Sequence, residues 1–125
     1  MAIESRKTLF WLGDSQRRVR DFPGDVRDEI GYALYKAECG EGHSSAHRMK
    51  GINAVEIVSD YDGDTFRGVY TTKFEDAVYV LHCFQKKSKK GAETPKPDLD
   101  LIKKRLQVAK LHYEASKKHE SENQS

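Results

Sequence analysis

The sequence predicts an α+β domain: a small antiparallel sheet of about four strands, with N-terminal helices on one face and a C-terminal helix. Three observations lead to this prediction. An almost wholly apolar run at residues 77–84 is typical of a buried strand. Strand-like segments at 54–58 and 66–70 precede it along the chain, separated by short polar turns. Segments with helical apolar spacing lie on either side of this group of strands.

The centre of the predicted sheet is the pair of strands at residues 66–70 and 77–84, joined by the polar turn 73–76. Because the second strand is apolar along nearly its whole length, we expect both of its faces to be buried, as in the middle of a sheet. A rigid strand that ends in positive charge predicts a site for an anion, and our hypothesis is that the anion is RNA. Four lysines within five residues follow this strand: Lys86, Lys87, Lys89 and Lys90.

The N-terminal part of the chain predicts one strand and then helices. Residues 7–12 are short, apolar and aromatic, which favours a strand, and residues 15–20 are consistent with a brief helical turn. Pro23 suits the first turn of a longer helix, since proline lacks the N–H that would be unpaired there. An apolar stripe with helical spacing runs from Val26 to Ala37, and Cys39-Gly40 ends it.

The C-terminal part predicts a single helix. Pro95 and Pro97 argue against an early start, and Asp98 suits an N-cap or a first-turn acid. An apolar stripe then continues to a helix end at about Lys117. Since residues 119–125 are polar, we expect a disordered tail there and place a single domain at residues 1–118.

Charge is distributed unevenly along the chain, although the net charge is only +2. Residues 86–118 contain eleven Lys and Arg against four Asp and Glu, whereas the remainder is acidic. This segregation suits a polyanionic partner. We expect the lysines at the strand exit to be functional. The basic residues of the last helix are expected to solvate its outer face: Lys103, Lys104, Arg105 and Lys110.

The sequence offers little for a metal, a cofactor or a membrane. Cys39 and Cys83 lack metal-ligand spacing, and His43 and His47 lie four residues apart in the polar loop 41–51 without a third ligand. The aspartates of 60–64 lack the spacing of an EF-hand. We therefore expect no cofactor. With no apolar signal segment and no run of membrane-spanning length, we expect a cytoplasmic protein.

A family resemblance is carried by residues 66–97 and the helix that follows. The matching features are the strand 66–70, the run 76–91 that ends Phe-Gln-Lys-Lys-Ser-Lys-Lys-Gly, and Thr94-Pro95. The helix adds Ile102, Arg105 and Ala109. In these features the chain resembles the RelE/ParE superfamily of toxins, and specifically its phage-derived, HigB-like branch. The resemblance covers about residues 6–116.

The resemblance implies a RelE-type sheet and an activity. Members of this kind cleave mRNA on the translating ribosome and are silenced by a helix-turn-helix antitoxin, here a HigA-like one. The implied chemistry is metal-independent: a ribose 2′-hydroxyl attacks its own 3′-phosphate. The reaction needs a group that takes the hydroxyl proton, one that stabilises the phosphorane and one that protonates the leaving 5′-oxygen.

The resemblance also implies roles for single residues. Arg67 matches the superfamily's phosphate-binding arginine, whose planar fork can hold two phosphate oxygens. Lys86 and Lys87 match the basic pair at the end of the last strand, where one lysine can stabilise the phosphorane and the other can transfer a proton. No tyrosine follows this pair, although some relatives use one in catalysis.

Two further groups have alternative interpretations. His82 is the best titratable candidate for general acid or base, or else a buried histidine of the core. Glu56 is the base if it faces the sheet surface that carries Arg67, and otherwise an ordinary strand acid. The remaining basic residues are expected to contact the RNA backbone: Arg48, Lys50, Lys89 and Lys90.

Two other functions stay open at this point. A ParE-like protein with the same fold would inhibit DNA gyrase without cutting RNA. A nucleic-acid-binding module without catalysis would need only the lysine cluster and its aromatic neighbours. The combination of Arg67, Lys86 and Lys87 with His82 nearby favours the nuclease.

Overall fold

A computed structural model describes residues 6–86 and 93–123, and it confirms the α+β class. Three helices and five strands form the described part of the chain. In order, these are β1 (Thr8–Trp11), α1 (Ser15–Arg20), α2 (Gly24–Glu38), β2 (Ala46–Arg48), β3 (Val55–Tyr61), β4 (Asp64–Phe74), β5 (Ala77–Lys86) and α3 (Lys96–Asn123).

The strands form one sheet in the order β1-β5-β4-β3-β2. The four strands from β2 to β5 form an antiparallel meander, whereas β1 joins β5 in parallel. The sheet thus has one strand more than expected, because residues 46–48 of the predicted polar loop pair with β3 as a short edge strand. As expected, β5 is buried on both faces, since it lies between β1 and β4 and helices cover both sides.

Helices cover the two faces of the sheet and define two apolar layers. The first face carries α1 and α2, and its layer includes Val26 and Ile30 of α2 packed with Ile57 and Val80 of the strands. At Gly68 of β4 a Cβ atom would lie 3.3 Å from Cγ2 of Ile30, so the absence of a side chain lets α2 approach the sheet closely. We call this the α2 face.

The opposite face carries α3 and is called the α3 face. Its layer includes Val69, Tyr79 and Leu81 from the strands and Ile102 and Ala109 from the helix. The helix periodicity expected from the sequence is therefore confirmed, because the predicted stripe is the one that packs on the sheet.

The bounds of α3 differ from the expectation at both ends. The helix begins at Lys96 and includes Pro97, because a proline in the first turn forfeits only an N–H that has no intrahelical acceptor. Asp98 lies in the first turn, as expected. At the other end the helix continues to Asn123, past the expected end near Lys117 and into the segment 119–125 predicted to be disordered.

Arg105 anchors α3 to the sheet, which corrects the expectation that it solvates the outer helix face. Its Nη1 donates a hydrogen bond to the carbonyl oxygen of Leu81 (3.0 Å), and its Nη2 binds Asp14 Oδ1 (3.1 Å). Leu81 is the extra residue at a bulge, where the β4–β5 register shifts between Val69 and Tyr70. Hydrogen bonds from Arg18 and Arg105 hold the pKa of Asp14 at about 2. Arg105 thus ties α3 to β5 through the carbonyl of Leu81 and to the start of α1 through the ion pair with Asp14.

Candidate active site

The α3 face brings four of the sequence-predicted residues to one surface. Residues directly opposite each other on neighbouring strands point to the same side of a sheet. Glu56 is opposite Val69, and Val69 is opposite His82. Arg67 lies two positions from Val69, and Lys86 lies four positions from His82, so both share that side. The condition set for Glu56, that it face the surface carrying Arg67, is therefore met.

Arg67 and Glu56 form an ion pair that is nearly buried. Arg67 Nη1 lies 2.9 Å from Glu56 Oε1, and Arg67 as a whole is only 5% exposed. The second carboxylate oxygen, Oε2, accepts a hydrogen bond from the hydroxyl of Thr94 (3.0 Å). Because a cation and a hydroxyl bind different oxygens, the carboxylate is held in one orientation and its charge is compensated.

Lys86 ends β5 with its side chain turned onto the same face. Its Nζ donates a hydrogen bond to the carbonyl oxygen of Glu93 (2.6 Å), and the residue is 8% exposed. The strand thus delivers one cation to the neighbourhood of the Arg67–Glu56 pair. Lys87, Lys89 and Lys90 lie outside the described residues.

His82 lies beneath the first turn of α3. Its Nε2 is 2.8 Å from Asp98 Oδ1, its ring stacks on Phe84, and only 2% of the residue is exposed. Burial lowers the pKa of His82 below its ordinary value, and the neighbouring Asp98 opposes this shift only in part. The imidazole is therefore neutral at pH 7 and joins the sheet to the helix.

A cleft of about 510 Å³ opens beside Glu56. It brings Arg48 and Lys50, two of the predicted RNA-binding residues, to the rim above the carboxylate, and both are exposed. Exposed cations above a partly buried acid form a surface suited to a phosphate backbone. The cleft is lined by Arg48, Met49, Lys50, Glu56, Glu93, Thr94 and Leu99.

The segment 93–98 contacts three of the candidate groups at once. Glu93 accepts a hydrogen bond from Lys86, Thr94 donates one to Glu56, and Asp98 pairs with His82. The sequence pattern did not predict these partners, because each contact depends on how the chain after β5 folds back onto the sheet. The local signal was the Thr94-Pro95 pair, which marks a stiff connection directly before a helix.

The described part of the chain contains no group of three or more acidic, histidine or cysteine side chains placed to hold a metal ion. Within the same residues, none of the helices combines the length and the apolar character that crossing a bilayer requires.

Comparison with known proteins identifies the family of this chain. Among solved structures, the toxin–antitoxin complex RelBE2 from Mycobacterium tuberculosis is similar to this chain at 12% identity and a TM-score of 0.45. The alignment covers 70% of this chain and 100% of that one. No curated protein matches the sequence. The family model described as "Phage derived protein Gp49-like" matches residues 17–107, which is most of the chain. The protein therefore belongs to the phage-derived Gp49-like family.

Proposed function

We propose that this protein is the toxin of a type II toxin–antitoxin system and cleaves mRNA on the ribosome, as a member of the HigB-like branch. The observation that carries the proposal is the carboxylate of Glu56, held between Arg67 and Thr94 at the edge of a cleft rimmed by Arg48 and Lys50. The carboxylate can take a proton in a phosphodiester cleavage, and the neighbouring cations can stabilise the negative charge that develops on the phosphate.

The proposed reaction uses the substrate's own 2′-hydroxyl as the nucleophile. Glu56 takes the hydroxyl proton while the 2′-oxygen forms a bond to the adjacent phosphorus. The bond from phosphorus to the 5′-oxygen then breaks, and that oxygen takes a proton from Lys86. The products are a 2′,3′-cyclic phosphate and a 5′-hydroxyl, and no metal or water enters the balance.

Arg67 has two tasks in this scheme. Its charge lies 2.9 Å from the base, which orients the carboxylate, and the same charge stabilises the phosphorane. Lys87 of the basic pair is assigned to the same phosphate. The buried His82 supports the site indirectly, because its contact with Asp98 holds the start of α3 in place.

RNA reaches Lys86 only when the backbone carbonyl of Glu93, which accepts a hydrogen bond from this lysine, moves aside. Thr94 keeps its hydrogen bond to Glu56 in this scheme. We infer that binding in the ribosome, through Arg48 and Lys50 and through Lys89 and Lys90, displaces this carbonyl. A HigA-like helix-turn-helix antitoxin in the cytoplasm would block the same basic surface.

Controlled induction of the protein in bacterial cells tests the function. We expect the wild type to arrest growth and to create new mRNA 5′ ends in register with codons. Arg67→Ala should abolish both effects. Lys104→Ala, which removes an exposed charge on the outer side of α3, should behave as the wild type.

Other outcomes would overturn the proposal. Growth arrest with intact mRNA and stalled DNA replication would identify a gyrase inhibitor of the ParE type. Purified protein that binds RNA with a steep salt dependence but never cuts it, on or off the ribosome, would identify a binding module. New 5′ ends that persist in Arg67→Ala would exclude that residue from the chemistry.

A further inference from the structure

A second cavity lies on the α2 face, on the opposite side of the sheet from the candidate active site. Its volume is about 270 Å³, a little below the ~300 Å³ at which pockets for drug-sized ligands begin, so it suits a smaller molecule. It opens between the end of α2 and the edge strand β2. Its lining residues include Lys7, Gly40, Glu41, His43, Arg48 and Tyr70.

The wall of this cavity combines apolar surface with the polar ends of two aromatic side chains. Tyr70 lines the cavity, and the residue is 4% exposed. Nδ1 of His43 accepts a hydrogen bond from the N–H of Ser45 (3.0 Å), so the proton of the neutral ring is on Nε2. The tyrosine hydroxyl and this N–H are polar groups that can orient a ligand on a mostly apolar wall.

The charge of the cavity is positive. Lys7 and Arg48 both line it, and neither forms an ion pair with an acid of the described residues. Arg48 donates a hydrogen bond to the side-chain oxygen of Asn53, at 3.3 Å. The single acid on the wall, Glu41, is paired with Lys36 at 3.0 Å, which offsets its charge. The cavity therefore offers two cations to an anion.

Arg48 also connects this cavity with the cleft of the candidate active site, since it lines both. It belongs to β2, which has only three residues and forms the edge of the sheet. A single strand of RNA that occupies the cleft can therefore pass around this edge, with Arg48 along its path. Because the cavity and the proposed RNA cleft share Arg48, one RNA strand can occupy both sites, which favours a polynucleotide over an acidic peptide as the ligand.

We propose that the cavity binds one nucleotide of the same RNA, with its base against Tyr70 and His43 and its phosphate between Lys7 and Arg48. This inference rests on the proposed function, and it adds a base-recognition site that lies around the sheet edge from the site of cleavage. A base placed between an aromatic ring and open hydrogen-bonding groups is read by its edge.

The test is an NMR titration of the full-length, isotope-labelled protein with AMP, UMP and inorganic phosphate. We expect AMP or UMP to shift the amide resonances of residues 40–43 and of Tyr70, with inorganic phosphate binding more weakly. Lys7→Ala should weaken the binding about threefold to tenfold, because it removes one charged contact to the phosphate. Lys104→Ala removes an equal charge elsewhere and should leave it unchanged.

Two results would overturn the inference. One is the absence of shifts at these residues with any nucleotide. The other is a shift with a hexaglutamate peptide but not with the nucleotides, which would make the cavity a site for an acidic protein segment. Arg67→Ala separates this inference from the proposed function: it should abolish cleavage and leave the nucleotide titration unchanged. Nucleotide binding without cleavage would refute the nuclease alone.

Discussion

At the scale of single residues, the candidate site shows how buried charge is stabilised. Arg67 and Glu56 are each largely removed from water, and their attraction offsets the desolvation only because the geometry is close and a further hydrogen bond satisfies the second oxygen. Removing one partner would leave the other charged and buried, at a cost of roughly 3–5 kcal/mol. Substitutions here therefore need a check on stability before loss of activity is interpreted.

His82 gives a pH-dependent prediction at this scale. Because burial lowers its pKa, the folded state holds a neutral ring at pH values where the unfolded chain, with a pKa near 6.5, already binds a proton. The free energy of unfolding should therefore fall as the pH drops below about 6.5, until the folded-state ring also becomes protonated. Urea denaturation at pH 7.5 and 5.5 measures this effect.

His82→Gln provides the comparison, since glutamine can hydrogen-bond to Asp98 but does not titrate. We expect the difference in unfolding free energy between the two pH values to be smaller in this variant than in the wild type. Equal differences in the two proteins would mean that the destabilisation arises from other histidines.

At the scale of elements, α3 and the residues before it organise the α3 face. The helix is fixed through Arg105, which binds the bulge carbonyl of Leu81 and the carboxylate of Asp14. Gly13 makes this possible, because a Cβ there would overlap the guanidinium of Arg105, and its φ of 55° favours glycine. With the helix held in this way, the segment 93–98 is delivered to the candidate site at a defined position.

Thr94 carries the prediction that belongs to this segment. Its hydroxyl orients Glu56, so Thr94→Ala should lower kcat/KM for cleavage of ribosome-bound mRNA about tenfold to a hundredfold, the value of one hydrogen bond to a charged group. Thr94→Ser retains the hydroxyl and should restore most of the activity. A loss of equal size in both variants would assign the effect to packing of the methyl group.

The elements also show how far the sequence predicts the structure. Alternation and helical spacing were sufficient for most strands and for the buried stripes, because these patterns follow directly from which side chains face the core. The strand β2 was missed, since it has only three residues, carries no alternating apolar pattern and becomes a strand only by pairing with β3. The shared face of Glu56 and Arg67 was predictable once two adjacent strands were assigned. The contacts of Thr94, Asp98 and Arg105 were not, because each depends on how the last helix docks.

At the scale of the whole molecule, the cleft and the cavity lie on opposite faces and meet at one edge of the sheet. The basic residues that line the two sites are Lys7, Arg48 and Lys50, and Arg48 lines both the cleft and the cavity. A single-stranded ligand suits such a narrow track better than a rigid duplex, because it can bend around a strand.

This arrangement predicts the salt dependence of RNA binding. For single strands the logarithm of the binding constant falls with the logarithm of salt concentration by about 0.7 per phosphate neutralised. Arg48→Ala should therefore reduce the slope by roughly this amount for a single-stranded RNA oligonucleotide, measured by fluorescence anisotropy at several salt concentrations. Lys104→Ala should leave the slope unchanged. An unaltered slope in Arg48→Ala would remove this residue from the RNA path.

The parallel pairing of β1 with β5 has a consequence for the order of events during synthesis. Thr8 pairs with Ala77, so the first strand to leave the ribosome must wait for the last strand before it can enter the sheet. The candidate active site takes its groups from β3, β4 and β5 and from the segment 93–98, so it needs residues that are far apart in the order of synthesis. A nascent chain therefore cannot assemble this site until the residues up to Asp98 have left the ribosome.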